Sequence, residues 1–333
     1  MDVLQDISRG LRGPFALVTI ITCKHHFPKL HAARNLVQKR RDTDFTNLGF
    51  SLLLASLGSF VFWDFSEWIK EGDFSIDNIT AQFSNYSSTF SKLGITLIRW
   101  KFYVGWCCIG LLPGAYSFLI QTLFYLHCRE LEKGVDEYYQ QLQELANMLC
   151  HNKTVPGLTQ KIDELLSMRN RLYALTECIN DAFQGTAGAL FCTDVAVMLF
   201  SAALVQVLSS NPSYWQLTGV VLYGFYLIAF HYPLISISFK VREYEKVTCY
   251  LLERGIQNNN FSTAVEVKMH LDALILHESQ LKFDIYAGGI FPLNGGAILK
   301  AFTLIATISI AANEITSKAD SSPQNLLPNC GTA

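Results

Sequence analysis

Charge is what this chain has least of. Asp, Glu, Lys and Arg make up 16% of its 333 residues, whereas soluble domains carry about 25%. The apolar residues, half of the sequence, gather in long blocks with the charges pushed between them. Two soluble domains would not be built that way; a polytopic membrane protein would. A net charge of −2 leaves no global basic field, which excludes nucleic acid as a partner. The nine cysteines lack framework spacing and read as free thiols. Enzyme signals are missing too. Gly288-Gly289 and Gly295-Gly296 form neither a phosphate-cradling loop nor a dinucleotide fingerprint, and His277-Glu278 lacks the second histidine of a zincin helix. His127-Cys128 and Cys150-His151 lack zinc-ligand spacing. No catalytic residue, metal or cofactor is expected.

What is present is an order of spans. Residues 14–23 are apolar but too short to cross a bilayer, which takes about 20 residues, so they count as a partial span. A basic segment follows with Lys24, Lys29, Arg34, Lys39, Arg40 and Arg41, cytoplasmic by the positive-inside rule. Full spans are expected at 45–63, 102–127, 183–208, 214–239 and 297–315. The loop 64–100 is acidic in its first half and carries two N-x-S/T sequons at Asn78 and Asn85, which mark an extracellular face and candidate glycosylation sites. Segments 128–182 and 240–284 are polar with apolar residues at i, i+3, i+4 and i+7, the pattern of long amphipathic cytoplasmic helices. The second runs on through a Gly-rich break to residue 296, and a tail, 316–333, lies outside.

Two features of the sequence support this layout. Segments 24–44, 128–182 and 240–284 hold six Lys or Arg each, and all five tryptophans (63, 68, 100, 106 and 215) fall at or near outer ends of spans, as an aromatic belt requires. The expected fold is therefore all-α: a transmembrane bundle of five full spans plus a partial one, with the N-terminal basic loop in the cytoplasm and the C-terminus extracellular.

Polar residues inside spans are costly and select the candidate sites. Asp194 lies near the middle of its span, as an ion or ligand contact or as a hydrogen-bonded bundle residue. Gln121 and Gln206 read as interhelical hydrogen bonds, and His231 as an interface histidine. Tyr103, Trp106, Trp215, Tyr223 and Tyr226 either line an outward-facing pocket or belong to the lipid-facing belt. Glu314, beside Asn313, closes the last span, as a cation-attracting mouth in an oligomer or as an ordinary helix end. Gly288, Gly289, Pro292, Gly295 and Gly296 read as a hinge before that helix.

The stretch FDIYAGGIFPLNGGAILKAFTLIATISIAANEI resembles the last-helix signature of the arthropod gustatory receptors, within the seven-helix chemoreceptor superfamily of inverted topology. Gly289, Phe291, Leu293 and Asn294 fit the start of that signature. Thr307 fits its threonine, Glu314 stands at its glutamine and Ile315 at its phenylalanine, while Ile308 replaces its tyrosine. The spacing is kept and the identities are half kept, which makes this a divergent member. With fewer than seven spans, the chain reads as N-terminally shortened. The resemblance implies a ligand-gated, non-selective cation channel, assembled as a homo- or heterotetramer with other gustatory receptors and opened by a small-molecule tastant in a lipid membrane. It implies Thr307, Ile308, Glu314 and Ile315 on a pore-lining helix, cytoplasmic helices packed as an anchor, and a pocket among the other spans, with Trp106, Asp194, Trp215 and Tyr223 as candidate lining. The alternatives are a non-channel membrane receptor, a degenerate accessory subunit, or a relative that senses light or temperature.

Overall fold

The computed structural model describes residues 24–37, 112–150, 157–208, 224–243, 265–280 and 282–320, together with Ile21, Ser51 and Val221. The partial span 14–23 apart from Ile21, the span 45–63 apart from Ser51, the loop 64–100 and the first part of the span 102–127 lie outside the described residues.

Two long helices form the spine. Helix α2, Leu112–Cys150, runs unbroken from apolar sequence into polar sequence, so the two parts are one continuous helix. Helix α3, Leu158–Leu208, makes the return journey, starting at Gly157, whose φ of 65° and carbonyl bond to the Lys161 amide set the turn. Leu131, Val135, Tyr138, Leu142, Leu145 and Leu149 repeat at alternating steps of four and three along α2 and are buried. On α3, Ile162, Leu165, Arg169, Leu172, Thr176, Ile179 and Phe183 repeat in the same way and are also buried. A seven-residue repeat of this kind gives an antiparallel coiled-coil seam. Gly134 lets the seam close: a Cβ there would stand 2.5 Å from Leu172 Cδ2 and 3.2 Å from Val37 Cγ1.

Helix α1, Phe27–Val37, lies along α3. Its Pro28 falls in the first turn, where the missing N–H costs nothing. The Phe27 ring meets the Phe183 ring edge-on at 5.9 Å, and at the other end Arg171 donates to the Leu36 carbonyl at 3.3 Å. The axis of α3 turns by 66° between Leu158–Phe183 and Gly185–Leu199, at the boundary where polar sequence gives way to apolar.

Helix α4, Gly224–Glu243, is long and apolar enough to cross a membrane by itself, and the two arms of α3 qualify when taken together. The foot of α4 is tied to α2 by charge. Lys240 Nζ lies 3.0 Å from Asp136 Oδ1 and 3.8 Å from Glu132 Oε1, and Arg129 pairs with Glu132 as well. Helix α5, Val265–Gln280, buries Leu271 and Leu274 and reaches α3 through His270 Nδ1, 2.7 Å from Asp163 Oδ1. A two-strand hairpin, β1 (Tyr286–Ala287) and β2 (Phe291–Pro292), then leads into the last helix, α6, Gly295–Asp320.

Candidate ligand and pore site

Three helices meet at a buried chain of polar side chains. Tyr226 on α4 donates its hydroxyl to Gln121 Oε1 on α2 at 2.8 Å, and Gln121 Nε2 donates to Asp194 Oδ2 on α3 at 2.9 Å. The Gln121 amide, with one acceptor and one donor side, is the residue type that can relay between a hydroxyl and a carboxylate. Asp194 is 0% exposed. Aromatic rings close over the chain: Tyr226 lies against Phe118 at 6.2 Å and Phe230 at 4.5 Å. One turn further along α4, His231 Nδ1 lies 2.9 Å from the Leu227 carbonyl. A carbonyl only accepts, so that nitrogen carries the proton. The His231 ring packs on Phe191 at 5.2 Å, which in turn meets Phe291 of β2 at 6.3 Å.

The segment before α6 is a built structure. Tyr286 pairs with Pro292 and Ala287 with Phe291, and the turn between them uses Gly288 and Gly289 at φ 62° and 71°, where side chains are strained. The Ile290 amide bonds the Ala287 carbonyl at 3.0 Å and the Leu293 amide bonds the Ile285 carbonyl at 2.7 Å. Asn180 of α3 grips the approach to β1 with both halves of its amide, accepting from the Tyr286 N–H at 2.9 Å and donating to the Asp284 carbonyl at 3.0 Å. The guanidinium of buried Arg169 lies 5.2 Å from the Phe283 ring and 5.7 Å from the Tyr138 ring, a cation–π position. Burial raises the Asp284 carboxyl above its ordinary value, with Lys282 opposing. Helix α6 then starts on Asn294, whose Oδ1 accepts from the Ala297 N–H at 3.0 Å, an N-cap bond.

Helix α6 has two unlike faces. Ile298, Ala301, Ile305 and Ser309 are buried, and Ile305 packs with Met198 of α3 and Leu227 of α4. Among the apolar Leu299, Leu304 and Ile310, the opposite, exposed face carries the polar residues Lys300, Thr303, Thr307 and Glu314. The steps between them are three, four and seven residues, which keeps all four on one side of the helix. The threonine hydroxyls donate to the carbonyls one turn back, Thr303 to Leu299 at 2.9 Å and Thr307 to Thr303 at 2.8 Å.

The profile of the 7tm chemosensory receptors matches residues 79–311, most of the chain and the site-building helices up to Ala311 of α6. The chain belongs to that family. Its members are receptors rather than enzymes, and they are membrane proteins. The fold agrees with a solved relative, the insect olfactory receptor OR5 from Machilis hrabei in complex with eugenol, at a TM-score of 0.55 and 11% sequence identity, over 94% of this chain and 80% of that one. No curated protein matches the sequence.

In this chemosensory receptor, Asp194 stands in the three-helix polar chain, with Gln121 and Tyr226 beside it. Trp106, Trp215 and Tyr223, the other candidate pocket residues, and the sequons at Asn78 and Asn85 lie outside the described residues. Thr307, Ile308 and Glu314 lie on α6, with Thr307 and Glu314 on its exposed face, while Ile315 is helical with its side chain outside the described residues. Among the residues read as a hinge, Gly288 and Gly289 turn the hairpin, Pro292 pairs within it, and Gly295 and Gly296 already belong to the first turn of α6. Asn180 and Arg169 were not legible as site residues. In an amphipathic stretch a lone Asn or Arg reads as solvated, and the only hint was Arg169 falling on the apolar seven-residue repeat.

Proposed function

We propose that this receptor is a gustatory-type subunit of a ligand-gated, non-selective cation channel, with four copies arranged so that α6 of each faces a shared axis. The observation that carries the reading is the exposed face of α6. Lys300, Thr303, Thr307 and Glu314 run along a helix whose other face is packed with Ile298, Ala301 and Ile305. The charged Lys300 and Glu314 gain nothing from lipid, and a water-filled path along this face would accommodate them. Glu314, at the outer end, would give that path a cation-attracting mouth, and the gustatory assignment follows the spacing of Thr307 and Glu314. A small-molecule ligand is supported by the eugenol bound to the olfactory relative and by the polar chain at Asp194, which offers hydrogen-bonding groups inside an apolar bundle. The six Lys or Arg in each of the segments 24–44, 128–182 and 240–284 support a cytoplasmic position for the helical lower part and a C-terminus outside.

Expression in a cell line with cation-current recording across a tastant panel tests the function. Currents that change in divalent block or selectivity in Glu314→Gln support the pore assignment; unchanged permeation places Glu314 at the headgroups. A tag after Ala333 that labels only after permeabilisation rejects the topology.

A further inference from the structure

We propose that Asn180 is a positioning residue for gating: it couples the bend of α3 to the pore helix by gripping the strand that feeds α6. The proposal rests on the channel reading for its consequence and on geometry for its content. The chain reaches α6 through residues 282–294, and α3 touches this segment through the Phe191–Phe291 ring pair and at three further places. Arg169 stacks on Phe283, Asn180 bonds Asp284 and Tyr286, and Gly188 backs onto Ala287 and Gly288. Arg169 and Asn180 lie on the arm before the 66° turn of α3, whereas Gly188 lies on the arm after it. The hairpin therefore contacts both arms, so a change in that angle moves it against at least one of them.

The arm beyond the bend also carries Asp194, whose chain to Gln121 and Tyr226 senses how α2, α3 and α4 are arranged. Beyond the hairpin the linkage is stiff. The Asn294 amide bonds the Pro292 carbonyl at 3.1 Å, and Asn294 caps α6 through Ala297. A displacement at Tyr286 thus arrives at the first turn of α6 within one cross-strand pair and one cap. Asn180 is the element in this path whose side chain can let go. Its two hydrogen bonds go to backbone groups on either side of Ile285, and each shifts a local opening equilibrium by roughly fivefold.

The test combines hydrogen exchange with current in Asn180→Ala, with Asn170→Ala, at an exposed position on the same arm of α3, as control. In purified protein in lipid nanodiscs, Asn180→Ala is expected to exchange roughly 25-fold faster at Tyr286 from the loss of both bonds. The faster exchange should extend to the amides of Ala297 and Ile298, while the α2–α3 seam is unchanged. In cells, ligand-independent cation current per surface receptor is expected to change several-fold in Asn180→Ala and not in Asn170→Ala. Faster exchange confined to Tyr286, with Ala297 and Ile298 protected as before, overturns the proposal, as does an unaltered basal current in a wild type that conducts. A wild type that never conducts counts against the channel reading alone, and the exchange result then decides the coupling by itself.

Discussion

A Cβ on Gly188 would stand 2.8 Å from the backbone nitrogen of Gly288. The helix at the centre of this receptor and the hairpin before its last helix are therefore in backbone contact, with no side chain between them. Both glycines are required, Gly188 by the approach and Gly288 by its φ of 62°.

That contact gives a paired prediction. Gly188→Ala pushes the hairpin off α3 and costs roughly 1–3 kcal/mol, the usual range for overpacking. Gly185→Ala, three residues away with open space around it, gains up to about 1 kcal/mol from helix propensity. Thermal melting of the two purified variants in one detergent should move in opposite directions. Parallel shifts would remove the close approach from the account.

The polar chain predicts graded losses. Tyr226→Phe removes the outer hydrogen bond and should cost about 0.6 kcal/mol, the average for such bonds in membrane bundles. Gln121→Leu takes away the donor to Asp194 and the acceptor of Tyr226 together, for about 1–2 kcal/mol. The double variant should cost little more than Gln121→Leu alone, because Tyr226 acts through Gln121. Additive losses in a double-mutant cycle would show that the two side chains are independent.

Asp284 sets a pH dependence of folding. Burial raises its carboxyl above the ordinary 3.8, so the folded protein holds this proton more tightly than the unfolded chain. Its contribution is then most favourable at low pH and is lost as pH rises from the ordinary value through the raised one. Asp284→Asn should melt higher than the wild type at neutral pH, with the gap closing as pH falls below the ordinary carboxylate range. A gap that persists or widens at low pH contradicts this sign.

The parts of the fold legible in the sequence are those governed by local period. Leu131 to Leu149 and Ile162 to Phe183 show their seven-residue spacing on inspection, and the structure turns that spacing into a seam. Asp194 stood out because a carboxylate is rare in an apolar run, and Gln121 because an amide there needs a partner; the sequence could not say that the two bond each other, 73 positions apart. The Gly-rich break was legible as a break and not as a hairpin. What makes it one is a surface about 100 residues earlier, at Asn180 and Gly188, which no local pattern encodes. The boundaries of α6 moved for the same reason: Gly295 and Gly296 look like helix breakers, but the Asn294 cap and the packing of Ile298 on the bundle bring them into the helix.

The most direct test of the central claim is cysteine accessibility along α6. Cysteines placed singly at Thr303, Thr307 and Glu314, and at Ala301 and Ile305 on the packed face, are treated with a water-soluble thiol reagent during cation-current recording, against the wild-type background. The account predicts that current is modified at Thr303, Thr307 and Glu314 and untouched at Ala301 and Ile305. Modification at Ala301 and Ile305 with the exposed stripe silent would contradict it, and would take the last helix away from the pore.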